Sequence, residues 1–144
     1  MITVKKILET KPISVVISVP PTNSVIDTLH LMAEKNIGAV VVMDGEKLVG
    51  IFSERDYARK GIIQGRKAKS TPMTEVMTPH VFTIDPDMSM QECMKLITTK
   101  KIRHLPVIEE GKVVGVLSIG DIVNSMIQEQ KNHIQFLEQY ITNA

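Results

Sequence analysis

Aliphatic residues along the chain fall into two alternating patterns. Val25, Leu29, Met32 and Ala33 recur three and four apart, as do Met90, Met94 and Ile97, the spacing of helices that bury one stripe. After each helix come two short β-branched runs, 39–43 with 48–52 and 105–108 with 113–117. Asp44-Gly45 or Glu110-Gly111 separates each pair, which reads as a β-hairpin whose glycine supplies the positive φ of the turn. Ahead of each helix a further apolar run, 15–19 or 81–84, predicts a strand. It leads into "PPTNS" or "DPDMS", where Ser24 and Ser89 suit a helix N-cap.

The two halves are copies. At an offset of 65, residues 16–56 align with 81–121 without a gap, and 12 of the 41 positions are identical, among them Gly50, Ser53 and Asp56 with Gly115, Ser118 and Asp121. Each unit is strand, helix, strand, strand, helix. About 60 residues form a marginal unit on their own, so two such units should pack through their sheets. The expected fold is mixed α/β (α+β): two pseudo-twofold repeats forming one domain. Repeat one spans 1–60, a linker 61–75, repeat two 76–128, and a C-terminal helical tail 129–144. In that tail Ile134, Leu137, Tyr140 and Ile141 keep helical spacing. The tail is free to dock on its own domain or on a second subunit.

Composition narrows the function. Hydrophobic residues make up 43% and charged residues 23%, with a net charge of +1, so neither disorder nor a polyanion-seeking surface is indicated. The apolar runs are too short for a membrane helix and "MITVKKILETK" lacks a signal-peptide plan, which points to the cytoplasm. Cys93, the single cysteine, falls on a helical apolar stripe and reads as a core thiol; the methionines read as core filling. No His/Cys/Asp/Glu grouping has metal-ligand spacing, and His30 and His133 read as solvated helix residues. There is no phosphate loop, nucleophile elbow or GxGxxG, so an enzyme is not indicated. Between Ala58 and Thr74 stand five basic residues and no acidic one. That run is a solvated loop or a nucleic-acid contact, and the scarcity of aromatic residues disfavours the latter.

The chemistry concentrates in two places. In "IRHLPV" two cationic side chains, Arg103 and His104, open an otherwise apolar strand; they either reach water or meet an anion. Arg103 offers a planar fork suited to phosphate oxygens, and His104 adds a donor whose pKa a nearby anion would raise. The Ser-x-x-Asp pairs, Ser53 with Asp56 and Ser118 with Asp121, read equally as helix capping boxes or as carboxylates presented to vicinal hydroxyls. Repeat one has Gly38 and Ala39 where repeat two has Arg103 and His104, so any two clefts related by the pseudo-twofold cannot be equal.

"LVGIFSERD", "VVGVLSIGD" and "IRHLPV", set in tandem repeats, resemble a pair of cystathionine-β-synthase (CBS) domains, the Bateman module, over nearly the whole chain. The resemblance implies a non-catalytic regulatory module that binds AMP, ADP, ATP, NAD or S-adenosylmethionine between its repeats. Ser53 and Asp56 would hold ribose, while Arg103 and His104, in the strand that continues to Pro106, would hold phosphate. Adenine would lie against His80, Val81 and Phe82, although His80 follows Pro79 in an expected turn and is as well placed for solvent. Arg55 and Arg59 are candidates for a second phosphate. The second cleft would combine Ser118 and Asp121 with Gly38 and Ala39, and with Ser14, Val15 and Val16. It should carry less charge and suit a nucleoside, another part of a nucleotide, or nothing. The resemblance also implies a homodimer through helical faces and a regulated protein partner.

Overall fold

The computed structural model describes residues 2–11 and 15–143. Helix α1 (Val4–Thr10) precedes repeat one, which comprises β1 (Ser18–Val19), α2 (Val25–Lys35), β2 (Ala39–Asp44), β3 (Lys47–Ser53) and α3 (Glu54–Asp56), the last continuing as a π-helix over Tyr57–Ile62. Repeat two comprises α4 (Met90–Lys100), β4 (His104–Glu109), β5 (Lys112–Ser118) and α5 (Ile119–Asn143). The expected caps are present: Ser24 Oγ accepts from Asp27 N–H and Ser89 Oγ from Glu92 N–H. Both helices end on a left-handed residue at equivalent positions, Asn36 and Lys101. The hairpins also match, each with one irregularity, at Val42/Met43 and at Val107/Ile108. Ala33, assigned to the buried stripe of α2, is exposed; Thr28 is buried in that helix instead, where its hydroxyl donates to Ser24 O.

The leading strand of each repeat is shorter than its apolar run. In repeat one only Ser18 and Val19 pair with β2, in parallel. In repeat two a single bridge joins Ile84 to Val107. Proline explains the difference. Ile84 N–H donates to Pro106 O and Ile108 N–H donates to Ile84 O; the next rung would need an N–H from residue 106, which proline lacks. Repeat one has Val41 at that position, and its N–H reaches Ile17 O at 3.4 Å.

Each repeat has its own core, and each core borrows from the segment preceding the other repeat. Val19, Val25, Met32, Val40, Val42 and Phe52 pack with Met73 and Val76. Ile84, Met90, Cys93, Ile97, Leu105, Val107, Leu117 and Ile122 pack with Val4 and Ile7 of α1. The backbone bonds mirror this exchange: Val25 N–H donates to Thr71 O, and Met90 N–H to Ile2 O. Thus residues 2–10, grouped with repeat one by order along the chain, pack on repeat two, and the end of the linker packs on repeat one. Gly50 and Gly115 mark the same crossing. A Cβ on Gly50 would lie 2.6 Å from Met77 Sδ, and one on Gly115 would lie 2.7 Å from Leu8 Cδ2.

Candidate functional site

The strand ends of the two repeats converge on two clefts. The larger, about 670 Å³, is lined by Ser53, Asp56, Arg55 and Arg59 of repeat one and by Arg103 and His104 of repeat two. These residues lie 44 or more apart in sequence between the two groups, and the packing of one repeat on the other brings them together. Glu54, Lys101, Ile102, Thr78, Ile51 and Gly38 complete the walls. Among the described residues none of Arg55, Arg59, Lys101 and Arg103 has an ion-pair partner. The cleft is therefore rich in cations, with four basic side chains outside any ion pair set against the carboxylates of Asp56 and Glu54.

Asp56 fulfils the capping reading of its motif with one oxygen and leaves the other outside the cap. Its Oδ2 accepts from Ser53 N–H at 2.9 Å and from Ser53 Oγ at 3.1 Å, while Ser53 Oγ accepts from Asp56 N–H, which makes a full capping box. Its Oδ1 points to the cleft side, where Thr78 Oγ1 donates at 3.3 Å and Lys60 Nζ stands 3.7 Å away. One oxygen fixes the helix start and the other is held by weaker, exchangeable contacts. Lys60 and Thr78 were not legible as partners because they arrive from the π-helix and from beyond the linker.

The residues assigned to an adenine wall lie elsewhere. His80 and Phe82 are exposed and Val81 half-buried, and neither these three nor Pro106 lines the larger cleft. Phe82 instead lies under Lys100 Nζ, 5.2 Å from its ring centre. Pro106 is buried, its carbonyl taken by Ile84 N–H.

The smaller cleft, about 320 Å³, is lined by Val15, Val16, Gly38, Ala39, Ser118 and Asp121, together with Ile17, Ile37, Val116 and Lys11. Ser14 lies outside the described residues. Ser118 and Asp121 repeat the cap: Asp121 Oδ2 accepts from Ser118 N–H at 2.9 Å, and Ser118 Oγ accepts from Asp121 N–H at 3.1 Å. As expected from Gly38 and Ala39, this cleft holds fewer charged side chains than the larger one, and its cation, Lys11, enters from the end of α1 and pairs with Asp121 at 2.9 Å. Among the described residues the two side-chain ion pairs are Lys60 with Asp56 and Lys11 with Asp121.

His104 lines both clefts. Its pKa is lowered from the ordinary histidine value, chiefly by burial; Asp121 opposes this, Lys11 and Arg103 reinforce it, and Asp56 opposes it. The rise expected from a neighbouring anion does not occur in the protein alone.

The CBS domain family description matches residues 3–62 and 73–128. The chain is 41% identical over 124 residues to the mitochondrial CBS domain-containing protein CBSX3 of Arabidopsis thaliana, covering 83% of this chain and 60% of that one. It therefore spans less than two thirds of that relative. A putative signal-transduction protein with CBS domains from Burkholderia ambifaria MC40-6 superposes with a TM-score of 0.86 at 46% identity, covering 90% and 96% of the two chains. The CBS domain pair of protein MJ0100, in complex with 5′-methylthioadenosine and S-adenosyl-L-methionine, gives 0.78 at 26% identity over 90% and 98%. CBSX2 in complex with AMP gives 0.74 at 27% identity over 90% and 99%. No helix among the described residues is long and apolar enough to cross a membrane.

Proposed function

Because the chain belongs to the CBS-domain family, as two such repeats in tandem, we propose that it is a non-catalytic regulatory module binding an adenine nucleotide, AMP, ADP, ATP or NAD, between its repeats. One observation carries the reading: Asp56 of repeat one and Arg103 and His104 of repeat two line a single cleft with Arg55, Arg59 and Lys101. A phosphate there meets guanidinium forks without having to break an existing ion pair. Ribose hydroxyls then replace Thr78 and Lys60 at Asp56 Oδ1, while the capping role of Oδ2 is kept. That MJ0100 and CBSX2 hold ligands sharing an adenosine moiety supports the same class of ligand here. Arg55 and Arg59, exposed at the same cleft, suit a second phosphate and so favour ATP, ADP or NAD as well as AMP.

A ligand that touches both repeats binds best when they stand in one particular relation, and differential affinity is what lets it shift a conformation. A second copy of this chain provides the readout. Beyond the domain, α5 leaves Ile127, Ile134, Leu137 and Ile141 exposed. They occupy heptad positions a, a, d and a, with Gln130 at the intervening d, and isoleucine at a with leucine at d favours a parallel two-stranded coil. A twofold axis would set each of these residues against its own copy. Calorimetric titration of the purified protein with AMP, ATP, NAD and S-adenosylmethionine tests the binding. Saturable binding of at least one nucleotide is expected; no heat from any of the four overturns the reading.

A further inference from the structure

Lys11 Nζ lies 2.9 Å from Asp121 Oδ2 and donates to Val116 O at 2.7 Å, inside the wall of the smaller cleft. The two side chains are only 23% and 21% exposed, so the pair is substantially withdrawn from water. Asp121 Oδ2 also accepts from Ser118 N–H, and Oδ1 has no hydrogen-bond partner among the described residues. Resting on the reading of the clefts as nucleotide sites, we infer that Lys11 is the specificity-determining residue of the smaller cleft. It releases Asp121 to a ribose and turns its ammonium to the ligand's phosphate, so that this cleft takes phosphorylated adenosines in preference to adenosine.

Charge bookkeeping in a half-buried space gives the direction. A nucleoside whose hydroxyls engage Asp121 draws the carboxylate away from Lys11 and returns no negative charge, leaving an ammonium poorly solvated and unpaired. A nucleotide supplies the missing anion. Lysine has three donors, so Lys11 can keep its bond to Val116 O while redirecting the others. In the larger cleft Arg103 is free to meet phosphate, whereas the equivalent position in the smaller cleft is Gly38. Lys11 is thus the cation that repeat one's sequence lacks at this end. Its anchorage supports the role: it is the C-cap residue of α1, and α1 is held on repeat two by Val4, Ile7 and the Leu8 contact over Gly115.

The test uses the Asp56→Ala protein, in which the larger cleft is silenced, so that remaining binding reports the smaller one. AMP and adenosine are titrated into it by calorimetry, alone and with Lys11→Met or Lys11→Arg added; Lys11→Gln replaces the methionine variant if thermal melts show that one unfolded. AMP is expected to bind more tightly than adenosine. Lys11→Met is expected to weaken AMP by about tenfold or more, the scale of one hydrogen bond to a charged group. It should strengthen adenosine, and Lys11→Arg should keep the original order. An unchanged AMP-to-adenosine ratio in Lys11→Met overturns the inference while leaving the nucleotide reading standing. So does binding of AMP to the native protein with none to Asp56→Ala. Absence of binding to the native protein removes both.

Discussion

Gly38 and His104 face each other where the two repeats meet: a Cβ on Gly38 would sit 3.8 Å from His104 Nε2, and both residues line both clefts. The repeat alignment pairs Gly38 with Arg103 and Ala39 with His104, so one repeat offers bare backbone and a methyl where the other offers a guanidinium and an imidazole. A single ring can therefore form part of two sites. Its charge state is shared between them.

That sharing makes His104 a reporter of pH. Burial lowers its folded-state pKa, so the unfolded chain takes up the proton more readily as pH falls through about 6.5. Stability contributed by neutral His104 is accordingly present above that value and lost below it. Native protein should lose more melting temperature between about pH 7.5 and 5.5 than His104→Gln does. An anion in the larger cleft acts the other way and favours the charged ring. Nucleotide binding near pH 6.5 should then draw in protons, seen as a buffer-dependent calorimetric enthalpy, and His104→Gln should lessen the uptake. Equal pH dependence in the two proteins would contradict this assignment.

Cys93 gives a second check, on the core. It is fully buried among Ile97, Met90 and Val4, and burial first, then Glu92 and Asp85, push its thiol pKa up to about 11. A thiol so protonated and enclosed is a poor nucleophile. Native protein at neutral pH should react with a thiol-specific reagent only as fast as it opens, and denaturant should make the reaction immediate. Rapid stoichiometric labelling without denaturant would show that the α4 stripe is not packed as described.

The repeat and its periodicities carried most of this structure in plain sight. Ser24 and Ser89 were readable as caps, and the hairpins from their glycines. Asp56 and Arg103 were readable as cleft partners only through the family resemblance, because they are 47 residues apart and meet by packing of the two halves. What escaped was held by context. Pro106 lies in an apolar strand and reads as part of it, yet its missing N–H cuts short the pairing that 81–84 would otherwise make. Lys11 and Lys60 look like any surface lysines until the exchange of the segments before each repeat brings one to Asp121 and the π-helix brings the other to Asp56. Helix α1 is too short to announce itself and owes its place to the other repeat's core.

The projecting part of α5 tests the assembly. Removing residues 130–144 leaves the described core of repeat two intact, since its buried members end at Ile122. The truncated chain should melt as a folded domain but sediment with lower mass than the native protein at the same concentration. Ile134→Asp should act similarly by placing a charge in the seam. Identical masses would show that α5 does not join two copies.

The most direct test of the central claim compares AMP with adenosine at the larger cleft in native protein and Arg103→Gln, with Asp121→Ala present in both to silence the smaller cleft. Arg103 is exposed and has no ion-pair partner among the described residues, so its replacement should leave the fold unaffected. AMP affinity should fall by about tenfold or more in Arg103→Gln, and adenosine affinity should stay the same, because only the phosphate meets the guanidinium. Equal AMP affinity in the two proteins would mean that the cationic strand mouth does not hold the phosphate.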